Sequence, residues 1–213
     1  MHSPATTALD VDCVAVDFET ANAARDSACA LAVTVISQSQ VAEEREWSFR
    51  PRCGQFNPRN VRLHGITANS VAASPEFCDL WHEILPYFDG RLLIARYAHF
   101  DISVLRHTLD AYSIPYPTFD YHCTWLLAKA TWPTYATHRL DYLAQRFGLD
   151  TDHHNPSSDA RVCSRILLRA CEAWGARSLP DLESRAQVSG GHLSEIKHSP
   201  PSRLIPDQGG RSS

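Results

Sequence analysis

An excess of basic residues is missing from this chain of 213 residues: 20 lysines and arginines stand against 24 aspartates and glutamates, a net charge of −4. Proteins that coat long stretches of DNA or RNA carry a net basic surface, so the balance argues against that class. It leaves room for an enzyme that grips a short strand end. Membrane-spanning length is not reached by any apolar run, and Met1 to Asp10 has neither the basic start nor the apolar stretch of a secretory leader. A cytoplasmic protein without a membrane partner is expected. Paired C-x-x-C cysteines are absent too, and the seven cysteines are an odd number. Neither a structural zinc site nor a disulfide framework is expected, but buried free thiols in a reducing compartment. There is no internal repeat.

What is present suits one ordinary domain, with 44% hydrophobic residues to build a core. Residues 1–10 read as a loose arm. Cys13 to Phe18, Ala28 to Ile36 and Val41 to Arg50 read as strands joined by short connections, which suggests an antiparallel meander. The period then changes. Phe77, Leu80, Ile84, Leu85 and Phe88 mark a helix over Pro75 to Phe88, and Leu92 to Ala95 is a short apolar strand. Helical stripes follow at Ile102 to Tyr112, around Trp125 to Leu127, at Leu140 to Phe147 with Gly148 as a stop, and at Val162 to Trp174. A mixed sheet flanked by helices is the expected architecture. From Ser189 the chain is dominated by Ser, Gly and Pro without an apolar face, so residues 189–213 are expected to be a disordered tail, preceded by a short helix near Asp181 to Gln187. The domain itself is set at 11–188.

Acidic residues stand in suggestive settings at three places. In Val14-Ala15-Val16-Asp17-Phe18-Glu19-Thr20, strand alternation puts Val14, Val16 and Phe18 on one face and Asp17 with Glu19 on the other. Two carboxylates at the end of an apolar strand repel each other and raise each other's pKa unless a divalent cation sits between them; Mg²⁺ and Mn²⁺ take such oxygen ligands. The plainer alternative is two solvated acids at a strand end. Asp101 follows the buried strand Leu92 to Ala95 and opens a helix, and taken alone it reads best as a helix cap. In His153-His154-Asn155-Pro156-Ser157-Ser158-Asp159-Ala160, Asn155 caps a helix with Pro156 at its first position, placing Asp159 in the first turn and His154 just outside. Taken alone, that too is a polar loop before a helix.

Together the three segments resemble the DEDDh (DnaQ-like) exonucleases, the family of the DNA polymerase III epsilon proofreading subunit. Asp17-Phe18-Glu19-Thr20 matches D-x-E-T, Phe100-Asp101 matches the end of the second motif, and His154 with Asp159-Ala160 matches H-x4-D-A. Leu63-His64-Gly65-Ile66-Thr67 resembles a further family segment, and the agreement runs over roughly residues 12–175. The resemblance implies an α/β, RNase H-like fold with a mixed five-stranded sheet flanked by helices. It implies that Asp17, Glu19, Asp101 and Asp159 hold two Mg²⁺ or Mn²⁺ ions, that Asp17 touches both, and that His154 is the general base. Such ions make water nucleophilic and support the leaving 3′-oxygen, and an imidazole of pKa near ~6.5 can take the proton. The implied activity is 3′→5′ hydrolysis to nucleoside 5′-monophosphates. The implied partners are nucleic acid 3′ ends, single strands and DNA favoured, with a DNA polymerase as a further one, in replication and repair.

Phe18, Thr20, His64, Arg96 and Tyr97 are the substrate contacts implied by the same resemblance, although Phe18 and Phe100 also fit the core. The family usually has His and Asn where this chain has Arg96 and Tyr97. Arg96 suits a phosphate and Tyr97 a base, or both simply pack. The five tryptophans sit at core-like positions and are not read as a nucleic-acid platform. Two other functions stay open: an exonuclease fold that binds 3′ ends or docks to a polymerase without turnover, and hydrolysis of some other phosphoester.

Overall fold

A computed structural model describes residues 12–151 and 155–204. The expected arm and His153 and His154 lie outside them. The antiparallel meander is built from β1 (Cys13–Thr20), β2 (Ala28–Ser37) and β3 (Gln40–Ser48). The chain continues through α1 (Pro58–His64), α2 (Phe77–Ile84), β4 (Leu92–Ala95), α3 (Ala98–Ala111), β5 (Phe119–Cys123), α4 (Thr124–Thr131), α5 (Leu140–Phe147), α6 (Pro156–Trp174) and α7 (Leu179–Ala186). Four short strands close it: β6 (Val188–Ser189), β7 (Gly191–Leu193), β8 (His198–Ser199) and β9 (Ser202–Arg203).

The main sheet has seven strands in the order β3-β2-β1-β4-β5-β7-β8, so the expectation of five is corrected. Strands β1, β4 and β5 are parallel to one another and form its centre, and the strands outside them are antiparallel. A parallel centre has to be covered on both faces, and β4 accordingly reads Leu-Leu-Ile-Ala with no polar residue. On one face, Val14, Val16 and Phe18 pack with Leu31, Leu93, Phe77, Ile102 and Leu105 under α2 and α3. On the other, Cys13, Ala15 and Ile94 pack with Cys163, Leu167 and Ala170 of α6 and Leu182 of α7. Each large side chain so buried contributes about 1.5–3 kcal/mol of transfer free energy. The small residues Cys13 and Ala15 let α6 lie close on β1, and α6 carries Asp159.

The single helix expected over Pro75 to Phe88 is shorter. It ends at Ile84 and passes into a 3-10 turn over Leu85–Tyr87, because Pro86 has no N–H for a helical hydrogen bond. Helix α1 and strand β5 go beyond what the apolar periodicity predicts. Helix α1 carries Asn57 as its N-cap, Pro58 in its first turn and Gly65 in the left-handed conformation (φ 76°) just past its end, a regular start and stop around a stretch too short to show periodicity. Among the cysteines, Cys53 is exposed and Cys78 half-buried; the other five are buried free thiols.

Residues 189–203 depart from the disordered tail expected at 189–213, of which 205–213 lie outside the described residues. Strand β7 pairs with β5 through Phe119 with Leu193 and Tyr121 with Gly191, and Val188 and Leu193 are fully buried. Buried His122 faces Glu183 Oε1 at 3.4 Å, and the same oxygen accepts the Gly190 N–H at 2.7 Å, tying β5, α7 and the closing strands together. This order comes from backbone pairing and a few anchored side chains, not from a periodic apolar face, so composition conceals it. Among the described residues no helix is long and apolar enough to cross a membrane.

Candidate active site

The strand β1 packs against α3 and α6, and the acidic side chains that these three elements carry act on one another's charge. Alternation along β1 sends Phe18 into the core, where it is 3% exposed, and leaves Asp17 and Glu19 half-buried on the α6 side. The β1–β2 register shifts between Glu19 and Thr20, a bulge of the kind that re-aims side chains beside a site. Asp101 is the fourth residue of α3, which begins after Tyr97, so it does not cap that helix. Its carboxylate crosses instead to β1, where Oδ1 accepts the Phe18 N–H at 3.1 Å, and the residue is 3% exposed. Helix α6 starts as expected: Asn155 accepts the Ser158 N–H at 3.0 Å, Pro156 opens the helix, and Asp159 is in its first turn.

Electrostatics show that these carboxylates share one field. Asp17 is pushed well above the usual range by burial, then by the charges of Asp101, Glu19 and Asp159, with Arg96 opposing. Burial, Asp159 and Asp101 push Glu19 up to about 8. Burial raises Asp101 to about 7 even though the Phe18 N–H, its own N–H and the charges of Arg96 and Arg25 pull it down. A set of acids still raised despite the charges of Arg96 and Arg25 suits hard divalent cations, which bind through carboxylate oxygens. The donor set therefore fits such ions, although among the described residues no three His, Cys, Asp or Glu side chains already stand as a closed ligand cluster.

Around the carboxylates, each expected contact residue has a definite place. Thr20 is buried; its carbonyl accepts from Asn60 Nδ2 at 2.8 Å and lies 3.2 Å from His64 Nε2. His64 Nδ1 accepts the Ile66 N–H at 3.0 Å, so Nε2 carries the proton and donates to Thr20. The Phe18 ring is in the core, which leaves only its backbone near the carboxylates. Arg96 is half-buried, and its Nε has no hydrogen-bond partner among the described residues. Tyr97 is 49% exposed and meets Trp125 edge-on. His154 lies outside the described residues. Two neighbours escaped sequence reading. Asn60 stands one helical turn before His64 and grips the same carbonyl, a spacing that could have revealed it. Arg25, in a loop, lies 4.3 Å over the Phe100 ring and acts on Asp101, and no sequence signal marks it.

The chain has relatives among known proteins. A family model described as an exonuclease, of the RNase T type, matches residues 14–167. The DNA polymerase III subunit epsilon of Treponema pallidum is 30% identical over 113 residues, 51% of this chain and 52% of that protein. The PolC-type DNA polymerase III of Streptococcus thermophilus is 30% identical over 111 residues, 50% of this chain but 7% of the polymerase. The chain thus spans about half the length of the epsilon subunit and a small part of the PolC-type polymerase. Among solved structures, Exonuclease X in complex with 5′-overhanging duplex DNA matches with a TM-score of 0.66 at 20% identity, covering 81% of this chain and 98% of that one. The nuclease domain of 3′hExo, a DEDDh family member bound to rAMP, matches with a TM-score of 0.67 at 16% identity, covering 79% and 94%. These likenesses show the expected RNase H-like exonuclease fold. With the family match spanning well over half of its length, the chain belongs to the RNase T-type exonuclease family.

Proposed function

We propose that this protein is a 3′→5′ exonuclease that shortens nucleic acid strands, DNA ahead of RNA, to nucleoside 5′-monophosphates. What supports the reading is that the charges of Glu19, Asp101 and Asp159 all act on Asp17, with Asp101 anchored to the strand that bears Asp17 and Glu19. In this reading the four carboxylates would hold two Mg²⁺ or Mn²⁺ ions, and Asp17, on which the charges of all three others act, would be a ligand shared by both. When bound, the ions activate water and stabilise charge on the departing 3′-oxygen. The chain's own part is to orient the strand end and to move a proton. His154, one residue before the Asn155 cap of α6, takes the proton from the attacking water. Thr20, at the end of β1, His64, at the end of α1, and Arg96, before α3, line the terminal nucleotide, and Tyr97 beside Arg96 contacts the strand. Arg96 also contributes a fixed positive charge toward the phosphate. Association with a DNA polymerase, in replication or repair, belongs to the same proposal and draws on the named relatives.

A 3′-labelled single strand is expected to lose mononucleotides only when Mg²⁺ or Mn²⁺ is supplied. Asp17→Ala and Asp159→Ala should abolish the loss, and His154→Ala should reduce it by about 10²–10⁴-fold, the usual contribution of a positioned base. Degradation that persists in Asp17→Ala would sink the reading. A matched panel of DNA, RNA and simple phosphodiesters separates strand shortening from general phosphoester hydrolysis.

A further inference from the structure

The residue immediately before α3 presents an aromatic surface that the chemistry of the carboxylates does not use. Tyr97 has φ −122° and ψ 66°, outside helical geometry, and the chain turns there so that the ring stands 49% exposed. It is not loose, however. Its ring meets Trp125 edge-on, centroids 5.5 Å apart with planes at 74°. Trp125, the second residue of α4, is half-buried against the core, and its N–H donates to the Arg96 carbonyl at 3.0 Å. Neighbouring backbone thus clamps the two rings together. One helical turn further along α4, the ammonium of Lys129 stands 4.4 Å from the Trp125 ring centroid. A second aromatic-held cation, Arg25 from the loop after β1, stands 4.3 Å over the ring of Phe100 in the first turn of α3.

At 49% exposure the tyrosine keeps open ring surface, and its contact with Trp125 keeps the ring from swinging. A rigid exposed aromatic with a cation beside it is the pairing by which proteins hold single-stranded nucleic acid: the base stacks and the cation meets phosphate, whatever the sequence. The place matters as much as the chemistry, because Tyr97 is one turn of α3 away from Asp101. We propose that Tyr97, braced by Trp125 and accompanied by Lys129, forms a stacking subsite for the base of a nucleotide next to the one being removed, on a single strand. Its occupant is the strand itself; the anionic backbone complements Lys129 and Arg25. The subsite rests on the exonuclease reading and adds to it a reason for preferring unpaired ends, since a paired base is already stacked.

Binding separates the subsite from the reaction. The probe is a labelled oligothymidylate whose last linkages are hydrolysis-resistant phosphorothioates, followed by fluorescence anisotropy in Mg²⁺, beside a matched strand with abasic sugars near its 3′ end. Tyr97→Ala is expected to weaken binding of the base-bearing strand about tenfold and to leave the abasic strand unchanged, while Tyr97→Phe keeps both. Lys129→Gln should flatten the dependence of binding on salt by about one phosphate contact. Equal affinity of Tyr97→Ala and the parent for the base-bearing strand would overturn the subsite, as would equal weakening on both strands. If the parent shortens an ordinary strand while Tyr97→Ala binds normally, only the subsite falls. If the parent neither binds nor shortens any strand, the exonuclease reading falls with it.

Discussion

The backbone N–H of Phe18 donates to Oδ1 of Asp101 across 3.1 Å, between residues 83 positions apart in the chain. This bond sets the distance between β1, which carries Asp17 and Glu19, and α3, which carries Asp101. It also stabilises the ionised form of an acid that burial otherwise drives toward protonation. One carboxylate therefore has two duties, and substitution can separate them.

Asp101→Asn keeps an oxygen for the Phe18 N–H and removes the charge, whereas Asp101→Ala removes both. The alanine variant leaves a buried N–H unsatisfied and should lose about 1–3 kcal/mol of stability by urea denaturation. The asparagine variant should lose clearly less. Nuclease activity should fall at least about a hundredfold in both, because charge opposite a bound cation is worth several kcal/mol in the transition state. Near-parental activity in Asp101→Asn would remove Asp101 from the ligand set.

Stability should depend on pH in the direction opposite to that of a salt-bridged acid. Glu19 is raised from 4.5 to about 8 and Asp101 from 3.8 to about 7. In that window the folded protein holds protons that the unfolded chain has released, so stability is lost as pH rises from the unfolded toward the folded values. Asp17 and Asp159 press in the same direction, and Arg96 and Arg25 temper it. The thermal midpoint of protein in a chelator should fall between pH ~5 and ~8. Mg²⁺ or Mn²⁺ at a hundredfold excess over its Kd should restore about 2.7 kcal/mol. A midpoint that is flat or rises over this window, with no response to metal, would contradict the shared field.

Much of this could be read from residue order. Alternation in Cys13 to Thr20 placed Asp17 and Glu19 on the face opposite Phe18, and the Asn155-Pro156 pair gave the start of α6. Short elements fared worse. Strand β5, Phe-Asp-Tyr-His-Cys, hides its inward face because buried His122 and a tyrosine both look polar in sequence. The closing strands owe their order to the free edge of β5, which only the tertiary fold creates. Arg25 reaches its place through a loop, and the bond from Phe18 to Asp101 joins segments that no local pattern relates.

Strand β7 offers a direct test of that late order. A Cβ on Gly191 would stand 2.6 Å from Cζ of Tyr121, 2.7 Å from the Ser199 carbonyl and 2.8 Å from Cδ of Pro201. Two of these are ring atoms packed in place and one is backbone, so none can swing aside cheaply. Gly191→Ala should cost about 1–3 kcal/mol. It should also open residues 188–203 to proteolysis and to faster amide exchange at Leu193. Full stability and unchanged protection would mean that this segment does not lie on β5.

Arg96 stands where the family usually has a histidine, and its charge already acts on Asp17 and Asp101. A fixed cation in that field does part of the work of a divalent ion, since it lowers the repulsion among the acids, and it also repels the ion that would complete the task. Arg96→His, neutral at pH ~8 where imidazole has lost its proton, should therefore tighten binding of Mn²⁺ about tenfold by isothermal titration, equivalent to about 1.4 kcal/mol. Arg96→Lys keeps the charge and should bind Mn²⁺ much as the parent does. The pairing of these variants separates charge from shape: if histidine and lysine shift the affinity equally, the guanidinium acts through packing and the field has been misassigned.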